Sequence, residues 1–201
     1  MASYTKVQLF PTLVYDIDCS ELIDDTIKVF EKIKWTNSSV SSSYFELSKN
    51  KKLTKKFEDN VNEALSEIEY TVPLRMTTSW FTMIPPGNSG EPHYHVNSFW
   101  SGVFYPFDGS SNFVIDKKLP QIHVPFKTQD MSLVAYGSVG FPARRGHMLL
   151  FPSYMMHHIE MNKSDKNRHS LAMNFMPSGF CDNEDSSYYY NESSKLAKKF
   201  G

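Results

Sequence analysis

Apolar positions along this chain keep one rhythm in its first third and another afterwards. Ile23, Ile27, Phe30 and Ile33 recur at spacings of four, three and three. Leu53, Phe57, Val61, Leu65 and Ile68 recur at four, four, four and three, with charged residues between them. Each set is the apolar stripe of an amphipathic helix, and Ser20 is placed as the N-cap of the first. Ahead of them, Val7 to Tyr15 is rich in β-branched and aromatic residues and predicts an opening strand interrupted by Pro11. The Ser-rich stretch from Asn37 to Ser43 predicts a loop. From Leu74 the helical period stops. Met76 to Met83 is dense in Thr, Trp and Phe and is closed by the turn residues Pro85-Pro86-Gly87-Asn88. Further strands read from His93 through Tyr105, then over Asn112–Asp116, His147–Phe151, His157–Met161 and Arg168–Met176. Asp108-Gly109-Ser110-Ser111 and the polar run Asn162–Asn167 supply turns between them. Lys117 to Arg145 is irregular and predicts edge strands or a loop folded over a site. The Tyr-rich tail from Ser178 carries no period that assigns an element. Two helices followed by about eight short strands predict a mainly β, α+β fold: a sandwich or barrel backed by helices.

Length adds that one domain with a substantial core accounts for all 201 residues. Its expected parts are strand and helical support over 1–70, a β core over 74–176 and a polar tail over 178–201. Charge is nearly balanced, 21 basic against 22 acidic residues, so the composition points neither to nucleic acid nor to a membrane surface. The two cysteines, Cys19 and Cys181, have no metal-type spacing and make no disulfide framework, which favours a reducing compartment. The first residues lack a signal-peptide core and no apolar run reaches membrane-spanning length, so a cytoplasmic protein is expected.

The chemistry gathers in three clusters. In a strand, residues i and i+2 share a face about 7 Å apart at the backbone, so His93 and His95 are placed to converge on one ion at roughly 2.1 Å each. A pair is not a site; the source of a third ligand is Phe151-Pro152-Ser153-Tyr154-Met155-Met156-His157-His158. The third cluster is Arg168-His169-Ser170, whose Arg168 and Ser170 share a strand face. A guanidinium clamps a carboxylate through two parallel hydrogen bonds, and a serine hydroxyl adds a third. Three histidines beside such a clamp suit an iron site that also holds a small diacid. His123 and His147 read as ordinary surface or core residues.

The order His-x-His, Phe-Pro-Ser, His, Arg-x-Ser resembles the 2-oxoglutarate- and iron(II)-dependent oxygenases, in particular the small members common in bacteria and their viruses. The likeness covers Leu9-Phe10-Pro11-Thr12 and most of residues 76–176, including Ser101-Gly102-Val103-Phe104-Tyr105, Gly146 to His157, and Arg168 to Asn174. It implies a double-stranded β-helix, a cupin-like jelly roll with the two N-terminal helices packed on it. It implies His93 and His157 as iron(II) ligands, with Arg168, Ser170, Tyr105 and Asn174 at the cosubstrate; His95 is expected as the third ligand because an imidazole suits iron better than an amide oxygen. The superfamily places Asp or Glu where this chain has His95; Glu91 and Asn97 are the alternative third ligands. His158 is expected to point away from His157, toward a second layer of contacts or a substrate. The implied reaction consumes 2-oxoglutarate and O2, yields succinate and carbon dioxide, and hydroxylates a C–H bond of a small-molecule or protein substrate. Trp80, Trp100, Tyr105 and the 117–145 segment are expected to wall the pocket. Two other readings stand beside this one: a cupin-type dioxygenase with three histidines and no 2-oxoglutarate, and a non-catalytic jelly-roll binding module.

Overall fold

The computed structural model describes residues 12–33, 35, 46–70, 72–116, 137–183 and 186–190. Strand β1 (Tyr15–Asp18) leads through a 3-10 turn (Ser20–Leu22) into α1 (Ile23–Phe30), and α2 (Lys51–Ala64) follows. The strands after them are β2 (Leu74–Ile84), β3 (Gly90–His93), β4 (Trp100–Phe104), β5 (Phe113–Asp116), β6 (Ser138–Phe141) and β7 (His147–Pro152). The chain continues as β8 (Met156–Ile159), β9 (Arg168–Pro177), β10 (Gly179–Asn183) and β11 (Ser186–Tyr190). One antiparallel sheet runs β1-β7-β4-β9-β2 and the other β3-β8-β5-β6, while β10 and β11 pair with each other. This is the expected jelly roll. Among the described residues no helix is long and apolar enough to cross a membrane.

Several local expectations change. Of the opening strand, residues 7–11 lie outside the described residues, as does the loop over 37–43; the described strand begins only at Tyr15, where pairing with β7 starts (Tyr15 opposite Leu150). Ser20 does not cap α1. It opens the 3-10 turn, and its backbone N–H donates to Asp18 Oδ1 at 3.0 Å. Asn50 caps α2, accepting from the Leu53 N–H at 3.2 Å. Within the irregular stretch, 117–136 lie outside the described residues and Ser138–Phe141 form an edge strand against β5. Of the tail, to which the sequence assigns no element, Gly179–Asn183 pairs antiparallel with Ser186–Tyr190, and 191–201 lie outside the described residues.

Alternation along the five-stranded sheet divides its side chains between two cores. Phe81, Phe104, Met148, Leu150, Leu171 and Phe175 face the helices and pack with Leu22, Leu53, Phe57 and Val61. Val103, Tyr105, Leu149 and Phe151 face the other sheet and pack with Phe113 and Ile115. The edge strand β2 is covered rather than left open, which removes a pairing hazard. Glu58 of α2 accepts from the Met76 N–H at 2.9 Å and pairs with Arg75 at 3.2 Å. Asn62 accepts from the Leu74 N–H at 2.8 Å and donates to its carbonyl at 3.0 Å. Gly146 opens β7 with φ +82, and a Cβ there would lie 3.1 Å from the Cα of Ser20. Glycine is required at that turn on both counts.

Candidate active site

Register brings the first two histidines together. On β3 and β8, His93 stands directly opposite His157, and their ring centroids are 4.4 Å apart. His95 reaches them by a different route from the one its spacing suggests. β3 ends at His93, and Asn97 turns the chain with φ 55. The His95 N–H donates to the Ser153 carbonyl at 3.0 Å, which folds its ring back 5.0 Å from that of His157. The shared strand face is therefore not what joins His93 to His95; a turn stitched to the β7–β8 connection does it.

One ligating atom from each of the three rings lies within 4.8 Å of the others. Two nitrogens bound to one ion at roughly 2.1 Å stand at most about 4.2 Å apart, so small ring rotations close the set. Each ring has its Nδ1 already engaged by an oxygen. His93 Nδ1 meets the Glu91 carbonyl at 2.7 Å, His157 Nδ1 the Met155 carbonyl at 2.9 Å, and His95 Nδ1 the Asn174 Oδ1 at 2.6 Å. An Nδ1 facing a carbonyl oxygen carries the proton, which leaves the Nε2 lone pair of every ring for a metal. His95 is held further by Ser101 Oγ at 2.8 Å, itself 2.8 Å from Ser153 Oγ, while Asn174 donates to Thr78 Oγ1 at 3.0 Å.

Electrostatics favour the neutral, ligating form. His157 is 2 % exposed, walled by Phe113 and Phe151 at ring distances of 5.1 and 4.9 Å. Burial, joined by repulsion from the neighbouring imidazoles and opposed by the Met155 carbonyl, pushes it down to about 3. Burial lowers His95 as well, against the Asn174 hydrogen bond. Trp80 packs 5.5 Å from the His95 ring. Glu91 is exposed and contributes its carbonyl to His93, and Asn97 is exposed on the turn; neither side chain is part of the histidine cluster.

Arg168 faces the same interior from β9 and is 1 % exposed. Its guanidinium sits 5.2 Å from the Tyr105 ring centroid, and Nη1 meets Ser170 Oγ at a long 3.4 Å. Nε and Nη2 have no hydrogen-bond partner among the described residues, and neither has the Tyr105 hydroxyl. Burial presses the Arg168 pKa down, and burial raises Tyr105 to about 12 against the pull of the guanidinium. Tyr105 thus keeps its O–H as a donor. A buried cation with open N–H groups is costly alone and is satisfied by a carboxylate. The donor set fits a diacid.

Residues 78–174 match the family described as "Putative 2OG-Fe(II) oxygenase". Over that stretch the chain is similar to the 2-oxoglutarate–iron(II) oxygenases. The α-ketoglutarate-dependent epimerase SnoN of nogalamycin biosynthesis superposes with a TM-score of 0.59 at 11% identity, covering 92% of this chain and 81% of that one. HygX of Streptomyces hygroscopicus, with nickel and 2-oxoglutarate bound, gives 0.56 at 14% identity over 84% of each chain. The carbocyclase SnoK gives 0.59 at 13%, covering 94% and 86%. At these identities the likeness carries the fold alone. Among curated proteins none matches the chain.

Other residues of the chain fall where the sequence did not put them. Trp100 turns to the helical side, its ring 5.9 Å from Tyr15 and its Nε1 donating to the Tyr70 hydroxyl at 3.0 Å. It does not wall the space between the sheets. His158 points away from His157, as expected, and pairs with Asp116 at 2.8 Å. His147 pairs with Asp16 at 2.8 Å, and His123 lies outside the described residues. Asn162, in the polar run between β8 and β9, is fully buried; it donates to the Ile84 carbonyl at 2.8 Å and accepts from Ser110 at 2.7 Å. It ties together the turns beside Arg168. A lone Asn in a polar run gives no sign of that role.

Proposed function

We propose that this chain is an iron(II)- and 2-oxoglutarate-dependent oxygenase that hydroxylates a substrate C–H bond. The observation that carries the reading is the buried Arg168 guanidinium with open N–H groups, facing the same interior as three histidines whose Nδ1 atoms are already committed. His93, His95 and His157 would hold the iron through Nε2. Carbonyl and amide oxygens at Nδ1 keep each ring neutral and in place. Arg168 would take the far carboxylate of 2-oxoglutarate, with Ser170 beside it and the Tyr105 hydroxyl as a further donor. Asn174 serves that cosubstrate indirectly, by orienting His95. When bound, iron(II) and 2-oxoglutarate supply the oxygen-activating chemistry, releasing succinate and carbon dioxide as the substrate is hydroxylated. Phe113 and Phe151 shield His157 from water and Trp80 packs on His95, while His93 stays open to solvent.

A third imidazole in place of a carboxylate supports a second reading, the three-histidine dioxygenase without 2-oxoglutarate. An anaerobic titration of the iron(II) protein with 2-oxoglutarate separates the two. The oxygenase develops a visible metal-to-ligand charge-transfer band and, on admission of air, forms succinate. Iron bound with no band and no succinate would leave the three-histidine dioxygenase in front.

A further inference from the structure

Eight large apolar side chains are exposed among the described residues, and four of them line a single cleft of about 300 Å3: Tyr70, Tyr94, Phe99 and Tyr154, at 38, 49, 45 and 68 %. Exposed apolar residues scattered singly need no explanation, whereas a cluster of them marks a binding surface. The cleft also takes in His95 and Trp100, so it shares a wall with the histidine cluster.

Its shape is held in advance. The Ser153 N–H donates to the Phe99 carbonyl at 3.1 Å and the His95 N–H to the Ser153 carbonyl at 3.0 Å. These bonds lock the turn bearing Tyr94 and Phe99 to the connection bearing Tyr154. The Phe99 N–H donates to Phe175 of β9 at 3.0 Å, and the Trp100 indole fixes the Tyr70 hydroxyl. Asn97, at φ 55, sits in the left-handed region that only a well-determined turn sustains. Tyr70 and Phe99 meet edge to face at 5.8 Å, and the exposed parts of the four rings open onto the cleft.

Two properties of the cleft narrow what that is. Among the described residues that line it there is no Asp, Glu, Lys or Arg, so none of them compensates a charged ligand. Its volume is about twice the roughly 150 Å3 that holds benzene, which suits two fused rings. We propose that the cleft is the substrate-recognition subsite of the oxygenase, and that it takes a neutral, planar, two-ring portion of a small-molecule substrate, stacked on these aromatic side chains beside His95. This rests on the oxygenase reading above.

The experiment uses the full chain, 2-naphthol as the neutral probe and naphthalene-2-sulfonate as its charged counterpart, with manganese(II) standing in for iron. Binding of 2-naphthol with a Kd below about 1 mM is expected, at least about tenfold tighter than the sulfonate. Tyr154→Ala and Phe99→Ala should each weaken it about tenfold, and Tyr154→Phe should keep most of it. Circular dichroism checks that these variants, at exposed positions, are folded. Bound manganese should broaden the naphthol proton resonances. No naphthol binding at millimolar concentration, in protein shown to bind manganese and 2-oxoglutarate, overturns the subsite. Naphthol that binds but is not broadened by bound manganese separates the cleft from the metal and also overturns it. Concentration-dependent self-association abolished by Tyr154→Ala would assign the cleft to a second copy of the chain, with the same consequence. Failure of manganese to bind at all sinks the oxygenase reading instead, and naphthol affinity in the metal-free protein does not depend on it.

Discussion

Replacing Arg168 with Met separates a residue that holds the fold from one that waits for a ligand. The guanidinium is 1 % exposed, has Nε and Nη2 unpaired among the described residues, and touches Ser170 only at 3.4 Å. An ionised group buried without a partner costs several kcal/mol, and an apolar side chain of similar length relieves that cost. The ligand-free variant should therefore be more stable than the unmodified protein by about 1–3 kcal/mol. For a chain of this size that raises the melting temperature by roughly 2–4 °C per kcal/mol. With manganese(II) present and 2-oxoglutarate at about 100 times its Kd, the unmodified protein should gain about 2.7 kcal/mol. A variant that binds it about 100-fold more weakly gains only about 0.4 kcal/mol under the same conditions. The order of stability should thus narrow or reverse when the diacid is added. Differential scanning calorimetry with and without 2-oxoglutarate reads both halves, and isothermal titration gives the affinities. A ligand-free variant less stable than its parent, together with an undiminished 2-oxoglutarate gain, would falsify the assignment and make Arg168 a structural cation. Arg168→Lys keeps the charge and loses the planar fork, so it should lie between, about 1.4–2.8 kcal/mol weaker for 2-oxoglutarate.

His157→Ala should abolish tight iron(II) or manganese(II) binding while His158→Ala, on the outer face with Asp116, keeps it; equal losses by equilibrium dialysis would mean the wrong histidine is assigned. Asn174→Ala removes the acceptor at His95 Nδ1 and should lower metal affinity about 10–100-fold without unfolding the sheet, and unchanged affinity would show that Ser101 alone orients the ring. In the metal-free protein, His157 is held near 3 by burial, below its unfolded value of about 6.5. On acidification the unfolded chain therefore binds the proton first. Stability from this residue is present above pH 6.5 and falls toward pH 3 by up to about 1.4 kcal/mol per unit. Urea midpoints measured in chelator at pH 7 and pH 5 should show that fall, reduced in His157→Gln, and a flat profile would contradict the burial argument.

The two helices, the strands between Met76 and Met176, and the identity of the histidines and Arg168 were legible because they depend on local period and spacing. A stripe every three or four residues must face a core. An alternating strand must send Arg168 and Ser170 to one side, whatever the other side is. The likeness of 78–174 to the oxygenases lies in these same short-range runs.

What the chain order did not decide was how the clusters meet. His93 and His95 looked like a strand pair, yet β3 stops at His93, and His95 returns through a turn whose hydrogen-bond partner, Ser153, lies more than fifty residues away. Trp100 looked like a wall of the space between the sheets, but the register of β4 against β7 and β9 turns it to the helices, and it meets only the cleft beside Tyr70 and His95. Ser20 opens a 3-10 turn instead of capping α1 because β1 ends at Asp18, opposite His147 of β7, and Asp18 accepts the Ser20 N–H. Asn174 and Ser101 become the support of His95 only because β4 and β9 set them opposite one another. A chain's own period determines which faces of its elements are apolar and which residues share a face. Pairing between distant strands determines what those faces meet, since the backbone bonds that set the register carry no signature in any single segment.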